Sequence, residues 1–220
     1  MRTTFKRLHE FWRGSGQWRR TAVVAITGAV AVCIALSLCV SHFACSDDLA
    51  RDAPLIEAPS RLAHPRVLVE KAAHRLSLFD GDRLVKTWRV AIGGGQGDKV
   101  KEGDKCTPEG DFFVCYKNPN SKYTLSLGLS YPNEEDAARG LRDGLITRAQ
   151  HDAIVAAAGG RSFDANTWEA LWKTPLGGEI MIHGHGAGRD WTLGCVAMDD
   201  DAIRQLYPIL PYGTPVRIVP

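Results

Sequence analysis

Residues 21–40 read TAVVAITGAVAVCIALSLCV, 20 positions without one charged side chain. At about 1.5 Å of rise per residue, a helix of that length just crosses a bilayer's hydrocarbon core of about 30 Å. No other feature constrains the chain as much, because any globule must be built from the remaining residues. Arg2, Lys6, Arg7, Arg13, Arg19 and Arg20 precede the run against Glu10 alone, and Asp47 and Asp48 follow it. Basic flanks stay on the cytoplasmic side of a membrane. Segment 1–20 is therefore expected in the cytoplasm, 21–41 as a transmembrane anchor in the cytoplasmic membrane, and everything after it on the outer side. A cleaved signal peptide would have a shorter apolar core and a small-residue cleavage site. A lipoprotein-type cleavage before Cys45 would want an aliphatic residue where His42 stands.

Residues 42–63 mix prolines, alanines and charges without a period and read as a linker. The globular part is then 64–220, enough chain for one core. With 27 Lys+Arg against 25 Asp+Glu there is no basic excess to suggest nucleic acid as a partner.

Within the globular part, 66–70, 74–79 and 84–92 are short, β-branched and partly alternating, with DGD at 80–82 as a hairpin turn. The glycine-rich stretch 93–104 lacks the G-x-x-x-x-G-K-[ST] spacing of a phosphate loop and reads as a surface loop. Strands are expected at 111–116, 123–131, 179–183 and 215–219. Between 133 and 172 the pattern turns helical. Thr147 with Gln150 forms a capping box, Gly159-Gly160 stops that helix, and a second covers 166–172. Another helix is expected at 200–207. Strands at both ends with helices inserted predict a mainly β fold, a β-sandwich or open barrel bearing a helical flap. The flap could cover a substrate groove or merely decorate the sheet.

Cys33, Cys39 and Cys45 lie in or beside the anchor, leaving Cys106, Cys115 and Cys195 in the exported part. An oxidising compartment permits a disulfide between the first two. A tight turn at TPEG, 107–110, would oppose it by carrying Cys115 roughly 13 Å away from Cys106. Cys195 remains unpaired, and a free thiol in such a compartment is usually there for its chemistry.

The stretch IHGHGAGRDWTLGC, 182–195, gathers His183, His185 and Cys195. Three readings are open. The H-x-H pair on a strand could present two rings on one face and, with Cys195, bind zinc, although no further ligand cluster accompanies them. His183 could be a satisfied strand-end histidine and Cys195 a small core residue. Or Cys195 is a nucleophile held as a thiolate by a neighbouring imidazole, with backbone amides for the oxyanion and a glycine before it to admit a carbonyl.

TPLGGEIMIHGHG, DWTLGCVAMDDDAI and LPYGTPVRI, in this order, together with the upstream EGDKCTPEGDFFV and NPNSKYTLSLGLSYPN, resemble the L,D-transpeptidase (YkuD-type) catalytic domain across about 66–219. The resemblance implies that Cys195 is the acylated nucleophile and His183 its general base. It implies that the Gly184 carbonyl orients His183, and that backbone N–H groups at Gly194 and Cys195 form the oxyanion hole. No cofactor or metal is implied. The partners would be peptidoglycan stem peptides, cut at the L-centre of a diamino acid with loss of D-alanine and joined to an amine through a thioester. The chain departs from the S-H-G-C signature with its arginine two positions later, having Leu193 in place of the histidine and Ala197 in place of the arginine. The acceptor is therefore open, and water would make the protein an L,D-carboxypeptidase or amidase. A non-catalytic wall-binding module is the alternative of another class. His185, Thr192 and Arg189 are candidate substrate contacts, Trp191 a packing anchor, and Arg189 with Asp190 a surface pair.

Overall fold

The computed structural model describes residues 62–220. Segment 1–20, the expected membrane span at 21–41 and nearly all of the linker lie outside these residues. Among the described residues no helix is long and apolar enough to cross a membrane.

The first strand, β1 (Pro65–Glu70), buries Val67 and Val69, and the last, β8 (Pro215–Val219), buries Val216 and Ile218. Alternate residues of a strand share a face, so each buries one apolar row. The two pair in parallel, Val67 beside Val216 and Val69 beside Ile218, which brings the two ends of the domain together. β2 (Arg75–Asp80) and β3 (Arg83–Arg89) form the expected hairpin around Gly81-Asp82. β4 (Gly110–Asn118), β5 (Ser126–Leu129), β6 (Met181–His183) and β7 (Val196–Ala197) complete one eight-stranded sheet, in the order β3-β2-β1-β8-β4-β5-β6-β7.

The sheet curls until its edges meet. Past β3 the chain leaves the hairpin, and Ala91 exchanges two backbone hydrogen bonds of 2.8 Å with Ala197 of β7. This explains why the strand expected at 84–92 stops at Arg89. It also favours the open-barrel expectation over a two-sheet sandwich. The strands expected at 123–131 and 179–183 are likewise shorter than their β-rich sequence suggested. The TPEG segment is irregular and forms no tight turn, because β4 pairs with β8 and β5 and not with the chain just before it. Cys106 and Cys115 are free thiols.

β4 is buried on both faces, and its sequence shows why. Phe112 and Val114 join the core inside the curled sheet, whereas Phe113 and Cys115 face a second core made with three helices. These are α1 (Glu134–Arg142), α2 (Arg148–Gly159) and α3 (Ala165–Leu171). The Thr147/Gln150 capping box is present at α2, and α1 carries a second box, Asn133 with Asp136, that the sequence reading missed. The flap is thus a packed layer on β4, with Ile154, Trp168 and Leu176 at its centre. α4 (Asp200–Ile209) buries Ala202, Ile203, Leu206 and Ile209, one stripe at helical spacing, against the inner core.

Trp168 is fully buried and its indole N–H donates to Ser162 O at 2.8 Å. Trp168→Ala should cost about 3–5 kcal/mol in urea unfolding. A loss below about 1 kcal/mol would show that the helices do not share this core.

Candidate active site

β6 ends at His183, and β7 starts one residue after Cys195. The two strands run parallel with Ile182 beside Val196 and His183 beside Ala197, a register that sets Cys195 beside Met181. Residues two apart on a strand point the same way, so Met181, His183 and Cys195 share one face. Strand spacing and rise put the Cα atoms of Cys195 and His183 roughly 8 Å apart on a diagonal. Both side chains line a cleft of about 960 Å³, together with Tyr123, Trp172, Glu179 and Trp191.

His183 is buried, and its Nδ1 lies 2.6 Å from the Gly184 carbonyl oxygen. A carbonyl only accepts, so Nδ1 carries the proton and Nε2 keeps its lone pair. Tyr123 stacks on the imidazole, with centroids 4.5 Å apart and planes at 23°, and Trp191 meets it edge-on at 5.7 Å. Burial holds His183 below the ordinary imidazole pKa; the Gly184 carbonyl works against this and His185 reinforces it. The ring is neutral at neutral pH.

The Cys195 Sγ–H donates to the Glu179 carbonyl at 3.3 Å. Burial pushes the thiol up to about 11; the Met181 N–H opposes this, the Glu179 carboxylate adds to it, and the Lys99 ammonium opposes it. The expected neutral-pH thiolate is therefore a resting thiol. Desolvation penalises a charged sulfur and a charged imidazole alike, so burial keeps both neutral. Glu179 itself sits at φ +53°, a left-handed conformation costing a non-glycine residue about 1–3 kcal/mol, and the turn directs its carbonyl to the sulfur.

Two glycines are dictated by backbone packing. A Cβ on Gly184 would lie 2.8 Å from Tyr123 O and closer still to Asp200 Oδ1. The Gly184 N–H donates to that same Tyr123 oxygen at 3.0 Å. Gly194 has φ +137°, and a Cβ there would lie 2.8 Å from Cys106 O. Its glycine serves close approach to the 106 backbone, where the sequence suggested room for substrate.

The remaining candidates separate. Thr192 is buried; its hydroxyl donates to Cys195 O at 2.7 Å and accepts the Gly194 N–H at 3.2 Å. That hydroxyl is used within the turn, not offered to substrate, and the Gly194 N–H is likewise engaged. The Cys195 N–H makes no hydrogen bond among the described residues. His185 and Arg189 are exposed and lie outside the cleft lining. His185 adopts φ +87°, its N–H bound to Asp200 Oδ1 at 2.9 Å, and its ring stands beside Tyr123 at 5.9 Å and Trp191 at 6.1 Å, behind the two rings that flank His183. Asp190 pairs with His74 at 2.9 Å and accepts the Ile92 N–H at 2.9 Å, in place of the expected pair with Arg189. Trp191 anchors the loop through its indole N–H to Gly186 O, 3.1 Å, as expected. Among the described residues no three His, Cys, Asp or Glu side chains stand together as metal ligands. Tyr123, Glu179, Lys99 and Asp200 were not singled out by the sequence. Only Asp200 carried a signal, as an acid in the first turn of a recognised helix.

The chain belongs to the family of L,D-transpeptidase catalytic domains (YkuD), whose model matches residues 64–218. Among solved structures it is similar to the helical cell shape determining protein Pgp2 from Campylobacter jejuni, at 22% identity and a TM-score of 0.47, over 70% of this chain and 47% of that one. It is also similar to an L,D-transpeptidase from Xylanimonas cellulosilytica, at 16% identity and a TM-score of 0.43, over 78% and 68% of the two chains. The chain thus spans about half the length of Pgp2. No curated protein matches it.

Alkylation of Cys195 by iodoacetamide, followed by peptide mass against pH, should accelerate only well above the ordinary thiol range, toward about 11. A full rate at pH 7 would contradict the neutral resting pair.

Proposed function

We propose that the protein is a cysteine-dependent peptidoglycan L,D-transpeptidase acting on tetrapeptide stems through a thioester. The observation that carries the reading is the tautomer of His183: Nδ1 is committed to Gly184 O, and Nε2 is left for the cleft that also holds Cys195. Membership of the L,D-transpeptidase family supports it. In this mechanism Nε2 takes the thiol proton as Sγ adds to the carbonyl carbon at the L-centre of the third stem residue. The Cys195 N–H is the available donor to the oxyanion, with the Gly194 N–H held by Thr192. The C–N bond then breaks, Nε2 protonates the departing amine, and D-alanine leaves. An amine of a second stem attacks the thioester, Nε2 accepts its proton, and the sulfur departs and is reprotonated. Keeping His183 and Cys195 together in a cleft speaks against a binding module without catalysis.

The purified full-length protein should convert a disaccharide-tetrapeptide to products identifiable by mass. Crosslinked dimer marks an amine acceptor, tripeptide alone marks water, and unchanged substrate would contradict the reading. Cys195→Ala should abolish turnover. His183→Ala should cost about two to three orders of magnitude, the range for a general base. Burial holds His183 below the ordinary imidazole value of 6.5, so the protonation that disables the base comes at lower pH than in free histidine. Activity should persist at pH 6.5 and fall only beneath it; an acid limb centred above 6.5 would contradict this.

The catalytic domain is proposed to work outside the cytoplasmic membrane, held by residues 21–41 after a basic segment that stays inside. A reporter fused after residue 60 should be active only when exported, with the protein staying in the membrane fraction. Mature protein beginning beyond Val40 would identify a cleaved signal instead.

A further inference from the structure

The position two residues past Cys195, where the family signature has an arginine, is Ala197, buried in the bonds that close the sheet. No cation can stand there. Lys99 is 3% exposed yet lines the same cleft as Cys195. Its Nζ donates to Lys101 O and to Asp104 Oδ1, each at 2.9 Å. An ammonium has three donors; besides these two bonds Nζ lies 5.9 Å from the centre of the Tyr131 ring, and no third hydrogen-bond acceptor meets it among the described residues. Asp104 Oδ1 also accepts the Cys106 N–H at 3.0 Å, and the Cys106 carbonyl lies against Gly194, the residue before the nucleophile. The Lys99 charge favours ionisation of the sulfur, though less than burial opposes it. Lys105, Lys122 and Lys173 also line the cleft but are exposed, where water screens a charge. Lys99 is fixed by two bonds in a desolvated wall, the setting in which a charge acts most strongly on a ligand.

Resting on the peptidyl-thioester reading above, we infer that Lys99 forms a carboxylate-binding subsite that reads the free C-terminus of the residue that leaves. In a tetrapeptide stem that carboxylate lies one residue, about 3.8 Å of chain, beyond the scissile carbonyl. The subsite makes the protein specific for free stem ends, and it disfavours stems whose fourth residue is extended or already crosslinked.

The test compares a tetrapeptide stem with its C-terminal carboxamide, using the full-length protein. The wild type should prefer the acid by about 10- to 100-fold in kcat/KM, the worth of one hydrogen bond to a charged group. Lys99→Met should remove the preference, leaving acid and amide within about threefold of each other. Because Lys99 also braces Asp104, Lys99→Gln, whose uncharged amide N–H can still donate to Asp104, should lose the preference in the same way. The acid–amide comparison in the wild type needs no variant at all. Equal use of both peptides by the wild type would overturn the subsite alone. So would a Lys99→Met protein that loses equally on both, as a purely structural lysine predicts, or one that keeps the preference. Turnover of neither peptide by the wild type would overturn the parent reading and the subsite with it.

Discussion

Two hydrogen bonds of 2.8 Å between the backbones of Ala91 and Ala197 hold the edges of the curled sheet together. β7 is only two residues long and could not keep its place by its ladder to β6 alone. Fastened on its other side to residue 91, it fixes where the preceding residue, Cys195, emerges. The same seam continues toward Cys195. Thr192 N–H donates to Ile92 O at 3.3 Å, Gly94 N–H to Thr192 O at 3.3 Å, and the Asp190 carboxylate takes the Ile92 N–H. A sheet edge left open presents unpaired N–H and C=O groups. Here those groups are used to clamp the cysteine loop.

On the other side of β7, the chain after His183 is held from two directions. Asp200 at the start of α4 accepts the His185 N–H at 2.9 Å and the Thr124 hydroxyl at 2.7 Å, while Tyr123 O accepts the Gly184 N–H. Gly184 therefore serves twice: its missing side chain admits Tyr123 and Asp200, and its carbonyl sets the imidazole's tautomer. Tyr123, brought in by the same contact, stacks on the ring and desolvates it. Burial that lowers the imidazole pKa also raises the thiol's. Proton transfer from Cys195 to His183 is therefore uphill between these two buried groups. In the proposed mechanism it becomes favourable only as the sulfur bonds to a carbonyl carbon and loses its charge to the oxyanion.

Local signals were legible where local chemistry decides. The Pro215–Val219 strand, the Gly81 hairpin and the Thr147/Gln150 box each follow from a few adjacent residues. That His183 and Cys195 would come together was expected from ordered motifs, and the register of β6 and β7 sets both in one cleft. What stayed hidden depends on tertiary contact. The length of β3 is set by a partner on the far edge of the sheet, and Tyr123 becomes part of the site only because Gly184 packs on its carbonyl. Gly194 and Thr192 looked available because a sequence does not show which hydrogen bonds are already made. Lys99 lay in a glycine-rich loop that read as mobile surface, yet Asp104 gathers the N–H groups of Val100, Lys101 and Cys106 and turns that loop into a wall of the cleft.

The resting site is a neutral thiol beside a neutral, Nδ1-protonated imidazole. Nitrogen-15 NMR of the His183 ring, titrated against pH, reads this directly. The account predicts a single tautomer with the proton on Nδ1 at pH 7, and protonation of the ring only below pH 6.5. An imidazolium at pH 7, with the sulfur already ionised, or a proton on Nε2, would contradict it.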